Sequence, residues 1–211
     1  MRRLDLSVYV ITDRSVGRGR SHEEMTAAAI AGGATVVQLR DKEATTGQLV
    51  DAASRMLPLT RRAGVPLIIN DRVDVALGVD ADGAHVGQDD LPAAIARRLL
   101  GPGKLLGVSA GTEAEAVAAE RDGADYVGVG PVFQALAKPD AGPPIGVEAL
   151  AQIVRAVQIP VVAIGGILHE HAPAMIRAGA AGVAVINAVL VEPDIAAATH
   201  RLVEVIRAAQ R

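Results

Sequence analysis

Gln38, Arg40 and Lys42 alternate along one short segment, Gln38-Leu39-Arg40-Asp41-Lys42. In an extended chain successive side chains point to opposite faces, so the amide and the two cations would share one face. That set is a hydrogen-bonding amide followed by two cations, although the segment alone equally fits a solvated strand end. Asn70-Asp71 and Gln88-Asp89-Asp90 then supply carboxylates at two further strand ends. If Asp71 and Asp90 converge, they offer the hard oxygen ligands of Mg2+, which takes few protein contacts and leaves room for phosphate oxygens. Asp is also a common helix cap, and by residue type alone capping is the commoner job. Ser109 closes another apolar run, where its hydroxyl is either a ligand group or part of an ordinary turn.

Other candidates carry less. The irregular segment from Gly130 to Pro144 holds Lys138 and reads as a lid over a site, or as a surface loop. His169-Glu170-His171 lacks both the H-E-x-x-H spacing and a third ligand, so it reads as solvated helix-start residues. His85 falls inside a strand and reads as a hydrogen-bonded histidine of the core or pocket edge, while His22 and His200 read as helix-surface positions. No G-x-S-x-G elbow and no Ser/His/Asp set is visible.

The elements that must position these residues follow from hydropathy. Eight apolar runs read as strands: 7–13, 35–40, 66–70, 83–87, 104–109, 125–130, 160–166 and 182–187. Ala-rich stretches between them read as helices, and Ser21…Glu24, Thr45…Gln48 and Thr112…Glu115 each fit a capping box at a helix start. Gly33-Ala34, Gly83-Ala84, Gly123-Ala124 and Gly179-Ala180 recur as if each closed a helix and opened an even-numbered strand. Such alternation implies a parallel sheet with helical crossovers, and eight steps without G-x-G-x-x-G favour a single (β/α)8 TIM-barrel domain over residues 1–211. In that fold Gly165-Gly166, Ile186 and Asn187 fall at the ends of strands 7 and 8, where backbone amides usually hold phosphate.

Composition narrows the function. The 211 residues are 50% hydrophobic but include only two Tyr, one Phe and no Trp, so the core must be aliphatic and Phe133 is the one ring expected near the site. A net charge of −3 and so few aromatics argue against nucleic acid as a partner. With no Cys, thiolate metal sites and cysteine nucleophiles are excluded. The first residues read as a strand and no apolar run is long enough to span a membrane, so the expectation is a soluble cytoplasmic protein, with a homo-oligomer left open.

The motifs taken together resemble the thiamine phosphate synthase family from Tyr9 to about Leu190. They are Tyr9-Val-Ile-Thr-Asp-Arg14, Val37-Gln-Leu-Arg-Asp-Lys42, Ile69-Asn-Asp-Arg72, His85-Val-Gly-Gln-Asp-Asp-Leu-Pro92, Gly107-Val-Ser109, Gly128-Val-Gly-Pro-Val-Phe133, Lys138-Pro-Asp140 and Ala163-Ile-Gly-Gly-Ile167. The resemblance implies a barrel enzyme that joins hydroxymethylpyrimidine pyrophosphate to hydroxyethylthiazole phosphate with Mg2+ and releases pyrophosphate. It assigns the metal to Asp71 and Asp90, and the pyrimidine and its pyrophosphate to Gln38, Arg40, Lys42 and Asn70. Ser109 and Lys138 would touch pyrophosphate, and Arg40, Lys42, Ser109 and Lys138 would carry the catalytic load. Gly166, with the amides of Ile186 and Asn187, would hold the thiazole phosphate.

One segment departs from the family. Ala135-Leu136-Ala137-Lys138 stands where members usually have Thr-x-Thr-Lys, removing two hydroxyl donors that would each contribute about 1.5–3 kcal/mol to a charged partner. The alternatives are the related thiazole tautomerase, whose usual His falls at Gly111 here, and a paralogue that binds without turnover.

Overall fold

The computed structural model describes residues 4–135 and 142–211. Its eight strands are β1 (Val8–Thr12), β2 (Val36–Leu39), β3 (Leu67–Asn70), β4 (Gly83–Val86), β5 (Leu105–Ala110), β6 (Tyr126–Val129), β7 (Val161–Ile164) and β8 (Gly182–Val185). Each lies parallel to its neighbours, and β1 pairs with β8 to close the barrel. Around it run α1 (His22–Ala31), α2 (Thr46–Ala63), α3 (Val73–Gly78), α4 (Ala93–Leu100), α5 (Glu113–Arg121), α6 (Gly146–Ala156), α7 (Ala172–Arg177), α8 (Asn187–Leu190) and α9 (Ile195–Ala209). The (β/α)8 expectation holds.

Local chemistry explains the helix starts. Ser21 and Thr45 each form the full reciprocal box, with Glu24 and Gln48 reaching back to the capping amide. At α5 only half of it forms. Thr112 accepts the Glu115 amide at 3.2 Å, but the Glu115 carboxylate turns to the Gly111 amide at 2.6 Å.

The Gly-Ala repeat needs one correction. Gly33, Gly123 and Gly179 take φ of +97°, +94° and +96°, and the Ala after each donates back into its helix. At the corresponding place before β4 the left-handed residue is Asp80, with φ +58°, and Ala81 donates to Ala76 O at 2.9 Å. Asp is one of the few residues that tolerate this conformation, so the turn survives without glycine. Gly83 instead starts β4, where a Cβ would meet Leu105 O at 2.1 Å.

Alternation along the strands separates two cores. Leu39, Leu67, Ile69, Leu106 and Val127 face the helices, while Tyr9, Ile11, Val36, Ile68, Tyr126 and Val162 fill the barrel. The outer layer is aliphatic as expected, yet two of the three aromatics sit inside. Gly107 makes room for them, since a Cβ there would lie 2.2 Å from Tyr126 Cζ and 2.4 Å from His85 Nδ1. The strand register then sets the inward residues at the C-terminal mouth. Gln38 pairs with Ile11 and Ile68, Asn70 with His85, and Ser109 with Gly128.

Candidate active site

At that mouth lies a cavity of about 350 Å³. Its β2 side presents Gln38, Arg40 and Lys42, the three residues expected to share a face. Arg40 pairs with Asp13, and Lys42 Nζ lies 2.5 Å from Asp71 Oδ2. Asn70 and Asp71 enter from the end of β3, Asp90 from the loop after β4 and Ser109 from β5.

Neither acidic residue caps a helix, so the commoner job of the residue type is not the one they do here. Arg72 stands at the capping position of α3 and Pro92 at that of α4, and neither start has a side-chain cap bond. Asp90 accepts the Gly87 amide at 2.8 Å, while Asp71 adopts φ +61°, uncommon outside glycine and held here by its amide bond to His85 O at 2.7 Å. Burial pushes the Asp71 carboxyl above its usual range, a hydrogen bond with Asp90 adds to the rise, and Lys42 opposes it. Two all-oxygen groups drawn together against a phosphate-sized space suit a hard divalent cation that keeps other positions for water and substrate. Among the described residues no group of three or more His, Cys, Asp or Glu could hold a metal. Mg2+ does not require one.

Another part of the wall is built from backbone. Gly165 and Gly166 take φ of +95° and +62°, and a Cβ would meet Pro131 Cα and Gln134 O, each at 2.5 Å. Both positions therefore need glycine for conformation and for space. With Ile186 and Asn187 at the end of β8, they line the same cavity as the cations. Lys138 lies outside the described residues, as does Ala137. Ala135 is described and lines the cavity.

Three sequence expectations change. Phe133 stacks on His171, centroids 4.2 Å apart, and backs the Gly166 turn, so it is not the ring of the site. The rings that line the cavity are Tyr9, Tyr126 and His85. Strand parity together with the small Gly107 was the signal that could have placed the two Tyr, while His85 stands hydrogen-bonded at the pocket edge as expected. His22 is buried rather than on the surface, its Nδ1 2.8 Å from Thr12 Oγ1 and its Nε2 3.4 Å from Asp41. His169 and His171 are half-buried and partnered, by Ala198 O at 2.8 Å and the Leu168 amide at 3.2 Å. His200 is exposed as expected.

Known proteins resemble this chain in sequence and fold. The model of a family described as thiamine monophosphate synthase matches residues 8–189. The chain belongs to this family. It is 58% identical to a thiamine-phosphate synthase of Chloroflexus aurantiacus over 94% of this chain and 92% of that one. It is 53% identical to a thiamine-phosphate synthase of Moorella thermoacetica, covering 96% and 97%. A solved thiamine phosphate pyrophosphorylase from Pyrococcus furiosus superposes with a TM-score of 0.90 at 40% identity, covering 98% of both chains. Enzymes of the thiamine-phosphate synthase family are transferases, and this chain is one of them. No helix among the described residues is long and apolar enough to cross a membrane.

Proposed function

We propose that the chain joins hydroxymethylpyrimidine pyrophosphate to hydroxyethylthiazole phosphate, releasing pyrophosphate and forming thiamine phosphate. One observation carries this reading: a single cavity is lined by Arg40, Lys42, Asp71 and Asp90 and also by two left-handed glycines, so charged side chains and open backbone suited to two anions share one space. Arg40 and Lys42 would draw in the pyrophosphate, and Ser109 with Asn70 would help orient the substrate. Gly166, Ile186 and Asn187 would hold the thiazole phosphate, and Lys138 is assigned to pyrophosphate by its motif. Asp71 and Asp90 would hold Mg2+. When bound, Mg2+ supplies charge neutralisation on the leaving pyrophosphate.

The bond from carbon to pyrophosphate oxygen breaks largely before the thiazole nitrogen attacks, leaving a cation that the pyrimidine ring stabilises. Catalysis then rests on alignment of two rings and stabilisation of the departing anion, so no covalent nucleophile is required. Incubating the purified chain with both substrates and Mg2+ should give thiamine phosphate and pyrophosphate, and omitting Mg2+ should suppress both. No product with both substrates and the metal present would sink the reading.

A further inference from the structure

Below the cavity a line of hydrogen bonds crosses the inside of the barrel. Gln38 Nε2 donates to Tyr9 OH at 2.8 Å, Tyr9 OH lies 2.8 Å from Tyr126 OH, Tyr126 OH lies 3.3 Å from His85 Nδ1, and His85 Nε2 lies 2.9 Å from Ser109 Oγ. Five strands contribute one side chain each, and both ends of the line open on the cavity.

Counting hydrogens gives the line a direction. Burial pushes the Tyr9 and Tyr126 hydroxyls far above their ordinary range, so each keeps its one hydrogen. Tyr9 accepts from Gln38 and therefore gives its hydrogen to Tyr126. Tyr126 gives its own to His85 Nδ1. A neutral imidazole without a proton on Nδ1 carries it on Nε2, which donates to Ser109 Oγ. The Ser109 hydrogen is then left for the cavity, and the Gln38 carbonyl Oε1 is left as well. In the reverse direction Ser109 would spend its hydrogen on His85, and Gln38 would turn its NH2 group outward.

We propose that Tyr9, Tyr126 and His85 are positioning residues that fix this direction, so that Gln38 meets the ligand as an acceptor for a ring amine and Ser109 as a donor to an anion. The proposal rests on the reading of the cavity given above, because an anion beside Ser109 can only accept and so selects this direction of the two. It adds a coupling between the two ends of the line: a ligand that forced Gln38 to donate would also remove the donor at Ser109.

Nitrogen-15 spectra of the histidine-labelled protein read the direction without any turnover. The His85 signals, identified by their loss in His85→Asn, should show a proton on Nε2 and none on Nδ1, and Tyr126→Phe should weaken that preference. A neutral His85 protonated on Nδ1 would overturn the proposal. The second readout is kinetic. Tyr126→Phe should lower kcat/KM about tenfold in the otherwise native enzyme, but only about threefold or less in a Ser109→Ala background, because the part of its effect that runs through Ser109 is then already lost. Equal losses in both backgrounds would also overturn it. If Tyr126→Phe fails to fold, Tyr9→Phe serves for both comparisons. Should the native chain make no thiamine phosphate, the proposed function falls while the spectra still decide the direction of the line.

Discussion

Asp71 combines an uncommon backbone, a half-buried carboxyl and an acidic neighbour, and its protonation should follow the metal. Its pKa in the fold lies above the ordinary 3.8 because of burial and Asp90, with Lys42 opposing. Without metal, the stability tied to the protonated carboxyl is complete below 3.8 and is lost as pH rises through the raised value. Mg2+ needs the carboxylate, so the rise in Tm that it produces should be small near pH ~4 and larger near pH ~7. A rise that is the same at both would contradict this. Asp71→Asn should lower kcat/KM by about a hundredfold, or ~2.7 kcal/mol, and abolish the Mg2+ effect on Tm. Ala135 marks a place where a family hydroxyl is missing from the cavity wall. Ala135→Thr should raise the rate about tenfold if the native wall lacks that donor, as steady-state kinetics would show. These acidic and cationic residues were legible because each sits within four positions of the end of a recognisable strand. Their freedom from capping was not, since it depends on the turn that Asp71 makes.

At the scale of elements, the start of α1 is tied to the ends of β1 and β2 through His22. Its ring reaches Thr12 on one side and Asp41 on the other, and Arg14 holds Asp41 from outside at 2.5 Å. Burial lowers the His22 pKa below 6.5 more than the nearby Asp41 carboxylate raises it. The stability contributed by neutral His22 is therefore full above 6.5 and declines as pH falls through the lower folded value, because the unfolded chain takes up the proton first. Urea unfolding should show His22→Gln losing part of this acid sensitivity; an unchanged pH slope would exclude His22 as its source. Sequence periodicity could not show that burial. His22 follows a capping Ser21, where side chains usually face water, and what covers it is Asp41, nineteen positions along the chain. The strands were legible for the opposite reason. Their apolar runs carry the pattern locally, whichever neighbour they meet.

Closure of the barrel belongs to the whole molecule, and it is tightest where β8 meets the segment leading into β1. A Cβ on Gly182 would lie 1.9 Å from Leu6 O, in backbone rather than in a side chain that could swing away. Gly182→Ala should therefore cost about 1–3 kcal/mol or more and lower Tm by several degrees, roughly 2–4 °C per kcal/mol for a chain of this size. A melting curve that matches the native one would mean that the seam can relax. The number of strands and their order along the chain were legible, and with them the mouth as the place for chemistry. Which rings would line it was not, because Tyr9 and Tyr126 meet only after the sheet has curled round, with Gly107 leaving the room that Tyr126 takes. That meeting also makes the protein its own optical probe. There is no Trp, and both Tyr lie on the cavity wall with their hydroxyls 2.8 Å apart. All near-ultraviolet absorption and emission from tyrosine thus originates beside the ligand, so binding could be titrated without a dye or an engineered label.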